Sequence, residues 1–394
     1  MAVWYSTDLG WRSGSDVSSR LAGVLSGLSS GDVLVLEGTY RVSGSNFRVP
    51  EGVTLTAVAG GGFDVLTSPL DSSPLLLLSD GVVVDNMTFT AVSAPRTGYA
   101  GTNPVAGTDY HTKRIVQVDG DGVTIENSAF AGNVAIHVEV KGGDDLVVRD
   151  TLFEGGFYQL RLRGAADDAQ ILGSHFRGAL ADGIKTESSD GQGPQRTLVR
   201  DSFFEGNARD GIDTAGGFVD GRVERTVFYD NGVSAMDIKS GYDDASDLDP
   251  RKANTGITVA DCQIIDSRNG IVVTVINRNG VLTEQNQSLM PHDIRVTDTV
   301  FENTGSGDMR AFLVKDGYDI TWDGLTFRGD VSELRFMDAE TPGTLSGQNV
   351  GGTVTRTENP LNLPADQLWT REPGPTKDGE ATLDITPMPT PERA

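Results

Sequence analysis

Cysteine is nearly absent from this chain. The single Cys262 excludes an intrachain disulfide. It stands in Asp-Cys-Gln-Ile at an inward phase, which suits a small buried side chain. The four histidines show no zinc-ligand spacing. The longest apolar run, Leu75 to Leu78, is far too short to cross a bilayer, so no membrane partner is expected. Basic residues are in the minority: 32 Lys and Arg against 56 Asp and Glu leave a net charge of -24. With no basic tract to offset it, nucleic acid is excluded as a partner. Residues 1–30 lack a basic start followed by an apolar core, so no secretory signal is read there. A secreted, extracellular protein without a visible signal peptide is the expectation. The acidity then serves solubility, and some of the Asp residues are candidates for calcium.

What the chain has is glycine, 49 residues in 394, and many short apolar runs punctuated by Gly, Asp and Asn. That favours an all-β solenoid or barrel. A repeat is legible as short strands ending in Phe89, Phe130, Phe153, Phe176, Phe204, Phe228, Ile264, Phe301 and Phe327. The steps between them are 41, 23, 23, 28, 24, 36, 37 and 26 residues, and the shortest give the bare period. Two or three short strands per two dozen residues, joined by Gly/Asn/Asp turns, predict a right-handed parallel β-helix. Leucine-rich repeats share the period, but their Leu-x-x-Leu-x-Leu signature is missing.

Val17, Leu21, Val24, Leu25 and Leu28 stand at helical spacing, with Ser15 and Asp16 as N-cap candidates. They predict an amphipathic helix over about 15–30 that covers the open end of the solenoid. The β-helix domain with this cap is placed at 1–345, and 346–394 reads as a C-terminal cap followed by a Pro-rich tail. The longer steps are insertions, and Ser93 to Thr112, Gly241 to Asn254 and Ile276 to His292 are expected to wall one groove.

Three segments share one design: Phe176 to Lys185, Phe204 to Asp213 and Phe228 to Asp237. Each reaches a charged residue nine positions after its Phe. Alternation along a strand then predicts two outward columns with coils about 4.8 Å apart. The first is His137, Arg161, Lys185, Asp213, Asp237; the second is Glu139, Arg163, Glu187, Ala215, Lys239. Asp182 and Asp210 lie in the turn just before the strand. Grouped carboxylates suit calcium, which takes oxygen ligands, so Asp182, Asp210, Asp213 and Asp237 are the metal candidates. Neighbouring Arg and Lys suit a sugar carboxylate.

At these residues the chain resembles β-helical polysaccharide lyases, locally the family-nine pectate lyase type. Arg209-Asp210-Gly211-Ile212-Asp213 is similar to that family's calcium motif, although the family's doubled Asp is Arg209-Asp210 here. The segment from Asn231 to Gly241 resembles the one carrying its catalytic Lys. The resemblance implies Asp210 and Asp213 as calcium ligands and Lys239 as base. A second, more general resemblance is to secreted mannuronan C5-epimerases, whose Asp-Pro-His-Glu motif is missing here.

The expected activity is therefore β-elimination on an acidic, uronic-acid-containing polysaccharide by a monomer. Calcium, or Arg and Lys, would neutralise the uronate carboxylate. Lys239 is the first candidate for base and Lys185 the second, since neighbouring cations or burial can lower a lysine pKa. His137, Arg161, Arg163 and Glu187 are candidate substrate-binding residues, with Tyr158 and Tyr242 stacking on sugars or donating a proton. The alternatives are a C5-epimerase sharing the same first step, a glycoside hydrolase using Asp pairs, and a non-catalytic glycan-binding β-helix.

Overall fold

The computed structural model describes residues 1–58, 60–66, 72–91, 111–189, 191–240, 249–275, 289–305, 307–336 and 350–357. The chain winds as a parallel β-helix. A typical coil supplies a short strand, a two-residue kink, a second short strand, a turn and a longer strand. The coil of Phe153 shows the plan: Val147–Arg149, Leu152–Glu154, then Tyr158–Arg163. The short strands merge into one 23-stranded sheet and the longer ones form an 11-stranded sheet. Every pairing between named strands is parallel, as in Phe130↔Phe153↔Phe176↔Phe204↔Phe228.

The kink between the short strands explains much of the turn chemistry. Asn86, Asn127, Asp150, Asp201, Asp261 and Asp298 all take positive φ there, for example 49° at Asp150. Asn and Asp tolerate this left-handed conformation better than other side-chain-bearing residues. Further Asp residues do the same at other corners, among them Asp145, Asp168, Asp220, Asp230, Asp266 and Asp319. Part of the acidity is thus turn geometry.

The second residue of the kink forms a buried column: Ser128, Thr151, Ser174, Ser202, Thr226, Cys262 and Thr299. Hydroxyls here donate to the carbonyl two residues back and accept a backbone N–H from the preceding coil, as Ser174 does with Leu172 O and Thr151 N. Cys262 fills a hydroxyl position: its thiol faces Ala260 O at 3.2 Å. The thiol is fully buried as expected, and burial pushes its pKa up to about 12. Inside, Phe89, Phe130, Phe153, Phe176, Phe204 and Phe228 stack with centroids 4.7–5.2 Å apart and planes within 12°.

The helix forms at Ser18–Gly27 and buries Leu21 and Leu25 on the first coils. Its N-cap is Val17, and Asp16 rather than Ser15 accepts the Ser18 N–H at 2.9 Å. At the far end Val350–Thr357 lies past residue 345 and still pairs in parallel with Ile320–Gly329. Of the three insertions expected to wall a groove, 93–110, 241–248 and 276–288 lie outside the described residues, and so does Tyr242.

Candidate functional site

The site lies on the 11-stranded sheet, and a bend at the start of each strand builds it. In Asp182–Glu187, Gly183 and Ile184 both face inward and Lys185 faces outward. A Cβ on Gly183 would meet Phe204 Cδ1 at 2.8 Å and Gly211 O at 2.7 Å. Gly211 meets Phe228 and Gly270 meets Phe301 in the same way. The matching position in the coil facing Ile264, where the Phe stack is interrupted, is Ala235. Asp-Gly-Ile is therefore a packing rule: the small residue lets the chain bend over the aromatic stack. The bend also brings side chains three apart, such as Asp210 and Asp213, to one point.

Register confirms most of the outward columns and shifts their first members. The first column is Glu139, Arg161, Lys185, Asp213, Asp237; the second is Lys141, Arg163, Glu187, Ala215, Lys239. His137 is not on the outer face. It takes the inward bend position, fully buried, with its ring 6.2–6.3 Å from Phe130 and Phe153. Its Nε2 bonds Gly132 O at 2.9 Å, and burial lowers its pKa to about 4, so it is a neutral core residue. Period-two alternation failed there because two consecutive residues face inward at the bend.

The outward charges are not simply solvated. Asp213 is fully buried, and its Oδ2 accepts from Lys185 Nζ at 2.5 Å and Lys239 Nζ at 2.8 Å. Burial alone would raise the Asp213 pKa, but the two ammonium groups override it and hold the carboxyl down at about 2. Lys239 also reaches Asp237 Oδ2 at 3.1 Å. Desolvation would lower the Lys239 pKa; Asp213, Asp237 and Asp210 together override that and raise it. Burial, with Asp213 adding, raises the Asp237 pKa.

Asp182 and Asp210 complete the cluster. Asp182 Oδ1 accepts the Asp210 N–H at 3.3 Å, and Asp210 Oδ1 accepts from the Ser234 hydroxyl at 2.6 Å. One carboxylate oxygen each from Asp182, Asp210 and Asp213 lie within 4.8 Å of one another. Asp182 Oδ2, Asp210 Oδ2 and Asp213 Oδ1 are buried without a hydrogen-bond partner. Burial and the neighbouring carboxylates raise Asp210 to about 7, and burial with Asp213 raises Asp182 as well. Asp237 is not part of this trio and pairs with Lys239 instead.

By donor chemistry the trio suits a hard divalent cation. Its position, however, is already served by Arg209, which the sequence flagged only as a departure from a motif. The guanidinium lies 3.9 Å from Asp182 Oδ1, 3.9 Å from Asp210 Oδ2 and 3.8 Å from Asp213 Oδ2. As the side chains stand, they do not fit a resident calcium ion in addition. Ser234 was likewise missed; its register opposite Asp210 was the available signal.

On the N-terminal flank Glu139 is fully buried beneath Arg114 at 3.0 Å and Arg161 at 3.3 Å. Arg161 also pairs with Glu187. Arg163 follows in the second column, its Nε buried and without a hydrogen-bond partner. Tyr158 packs edge-on against Phe157 and borders the cluster. Burial, then Asp182, Glu187 and Asp213, raise its phenol pKa, so it remains protonated.

The family model described as the right-handed beta helix region matches residues 114–288. No curated protein matches the sequence. Among solved structures, the surface adhesin PfbA of Streptococcus pneumoniae is similar at 13% identity and TM-score 0.62, covering 91% of this chain and 95% of that one. An exopolygalacturonase from Thermotoga maritima is similar at 14% identity and TM-score 0.57, covering 90% of each. The catalytic unit of an alpha-1,3-glucanase from Streptomyces thermodiastaticus is similar at 15% identity and TM-score 0.58, covering 90% of this chain and 68% of that one. At such identity these likenesses establish a shared right-handed β-helix. No helix among the described residues is long and apolar enough to cross a membrane.

Proposed function

We propose that the protein is a polysaccharide lyase acting on a uronic-acid-containing polymer, with the reaction centred on Lys185, Lys239 and Asp237. One observation carries this reading. Arg161, Lys185, Arg209 and Lys239 reach the surface while Asp182, Asp210 and Asp213 lie beneath them, and Asp237 and Glu187 are the partly exposed carboxylates at their side. Side-chain exposure is 17% for Arg161, 9% for Lys185, 25% for Arg209 and 12% for Lys239, against 0% for Asp182 and Asp213 and 1% for Asp210. One cation on each of four successive coils, with coils about 4.8 Å apart, suits a chain with one carboxylate per sugar. The similar structures that act on polysaccharides use the same fold, which is consistent with this reading without choosing the reaction. A polymer substrate is met outside the cell, where we place the protein.

β-Elimination needs three things at the uronate. Its carboxylate must be neutralised so that charge building at C5 is stabilised. The C5 proton must pass to a base, and the C5–H electrons then form the C4=C5 double bond. The C4–O bond breaks, and the leaving oxygen takes up a proton. Lys185, Lys239 and Arg161 supply the neutralising charge. Lys239 was the expected base, but two carboxylates hold its ammonium protonated. We assign the proton-accepting role to its partner Asp237, a partly exposed carboxylate whose pKa is raised by burial. To Tyr158, protonated at the edge of the cluster, we give the role of supplying the proton to the leaving oxygen.

The test follows ultraviolet absorbance of an unsaturated uronate on a panel of acidic polysaccharides. Asp237→Asn is expected to abolish the signal with little change in KM. Lys185→Met and Lys239→Met are expected to raise KM and lower kcat together. Undiminished product from Asp237→Asn would sink the base assignment. A second reading, glycoside hydrolysis, is favoured by the opposite pKa shifts of Asp210 and Asp213. New reducing ends without unsaturation would decide for it. The burial of both carboxyls argues against it, since neither reaches a sugar as placed.

A further inference from the structure

We propose that Arg209 is the resident cation of the Asp182–Asp210–Asp213 cradle and keeps divalent ions out of it. The inference concerns what fills the cradle, and it holds whichever reaction the outer face performs.

Three buried carboxylates at one point need compensating charge, because unpaired buried charge is strongly unfavourable. Lys185 and Lys239 both serve a single oxygen, Asp213 Oδ2. Neither is bonded to Asp182 or Asp210. Among the described residues, the one cation that approaches all three is Arg209, with a nitrogen within 3.9 Å of an oxygen of each. Its backbone is anchored on both sides of the turn: the N–H bonds Ala181 O at 3.0 Å, and its carbonyl accepts from Val233 N at 2.7 Å. The guanidinium is therefore delivered to the cradle by the fold itself. Its side chain is one quarter exposed, so it closes the cradle on its outer side.

A calcium ion would take six to eight oxygens at about 2.3–2.6 Å. The trio can offer Asp182 Oδ2, Asp210 Oδ2 and Asp213 Oδ1, the three buried oxygens without hydrogen-bond partners. The remaining ligands would have to enter from the outer side, where Arg209 lies. A guanidinium there repels the ion and blocks that entry. Guanidinium and ion are thus alternatives, and removal of the arginine side chain opens a ready-made oxygen site.

The experiment is calcium titration by calorimetry together with melting in calcium and in chelator. The expected result for the wild type is no ion bound at the cluster and a melting temperature indifferent to either condition. Arg209→Ala is expected to bind one calcium ion at least about tenfold more tightly than the wild type. Its melting temperature should rise with calcium, and adding Asp182→Asn should remove both effects. If Arg209→Ala folds only with calcium supplied, the proposal is also supported. If it does not fold at all, Arg209→Gln, which keeps the shape without the charge, goes through the same titration. The proposal is overturned if the wild type binds an ion that Asp182→Asn abolishes. It is equally overturned if neither arginine variant gains an ion. Neither readout involves turnover, so failure here and failure of the lyase reading are separate results.

Discussion

Two stacks run along this molecule in one register, and they obey opposite rules. Inside, Phe89 through Phe228 repeats one residue on six coils, each ring lying flat on the next. Outside, the column Glu139, Arg161, Lys185, Asp213, Asp237 mostly changes sign or is bridged from the side. Parallel in-register pairing places like on like about 4.8 Å apart. That favours identical apolar rings, which gain contact and burial, and penalises identical charges. The single acidic step, Asp213 on Asp237, is bridged by Lys239 from the neighbouring column. The outer face is therefore a paired network whose geometry the inner stack dictates.

The comparison can be broken from inside first. Phe176→Ala should cost about 3–5 kcal/mol, read by denaturant unfolding, because the ring is fully buried between two others. Asp213→Asn is the outer counterpart. It strips the shared acceptor from two lysines and should cost on the order of 3 kcal/mol and most of the activity. A loss as small as that of an exposed ion pair would show that the outer column is merely solvated. Gly211→Ala tests the link between the stacks. Away from positive φ this change usually stabilises; here a Cβ would lie 2.6 Å from Phe228 and 2.7 Å from Ala235 O, and a loss of about 1–3 kcal/mol is expected.

A pH series separates the trio by sign. Asp210, raised to about 7, contributes stability at low pH that is lost as pH rises from the unfolded carboxylate pKa of about 4 toward 7. Asp213, held at about 2, contributes stability that is lost only as pH falls below about 4. Asp210→Asn should therefore flatten the decline in melting temperature between those limits and leave the acid limb in place. The smallest effect is expected in the hydroxyl column: Cys262→Ser should change stability by less than about 1 kcal/mol, since Thr226 and Thr299 fill the same position on the adjacent coils.

Much of this was legible in the text of the chain. The Phe markers have a period because each coil must bury one face on its neighbours, and that period survives variable insertions. The register of Lys185 with Asp213 followed from equal phase, and that of Arg163 with Glu187 followed once a small change in turn length was allowed. His137 was misplaced because it stands seven positions after Phe130, whereas the nine-residue step of the later coils leads from Phe130 to Glu139, the residue that register puts in the column. Arg209 was overlooked because a turn residue just before a strand has no phase to read.

By itself, then, the sequence determined the solenoid, its repeat, its inner aromatic stack and the coils that carry charge. Those follow from periodicity, which is local and additive. Only the tertiary structure decided which carboxylates share a point, which lysine is held as a cation and which guanidinium closes the cradle. These depend on the bend over each Phe and on the depth of burial, which set distance and solvation, and neither is written in spacing.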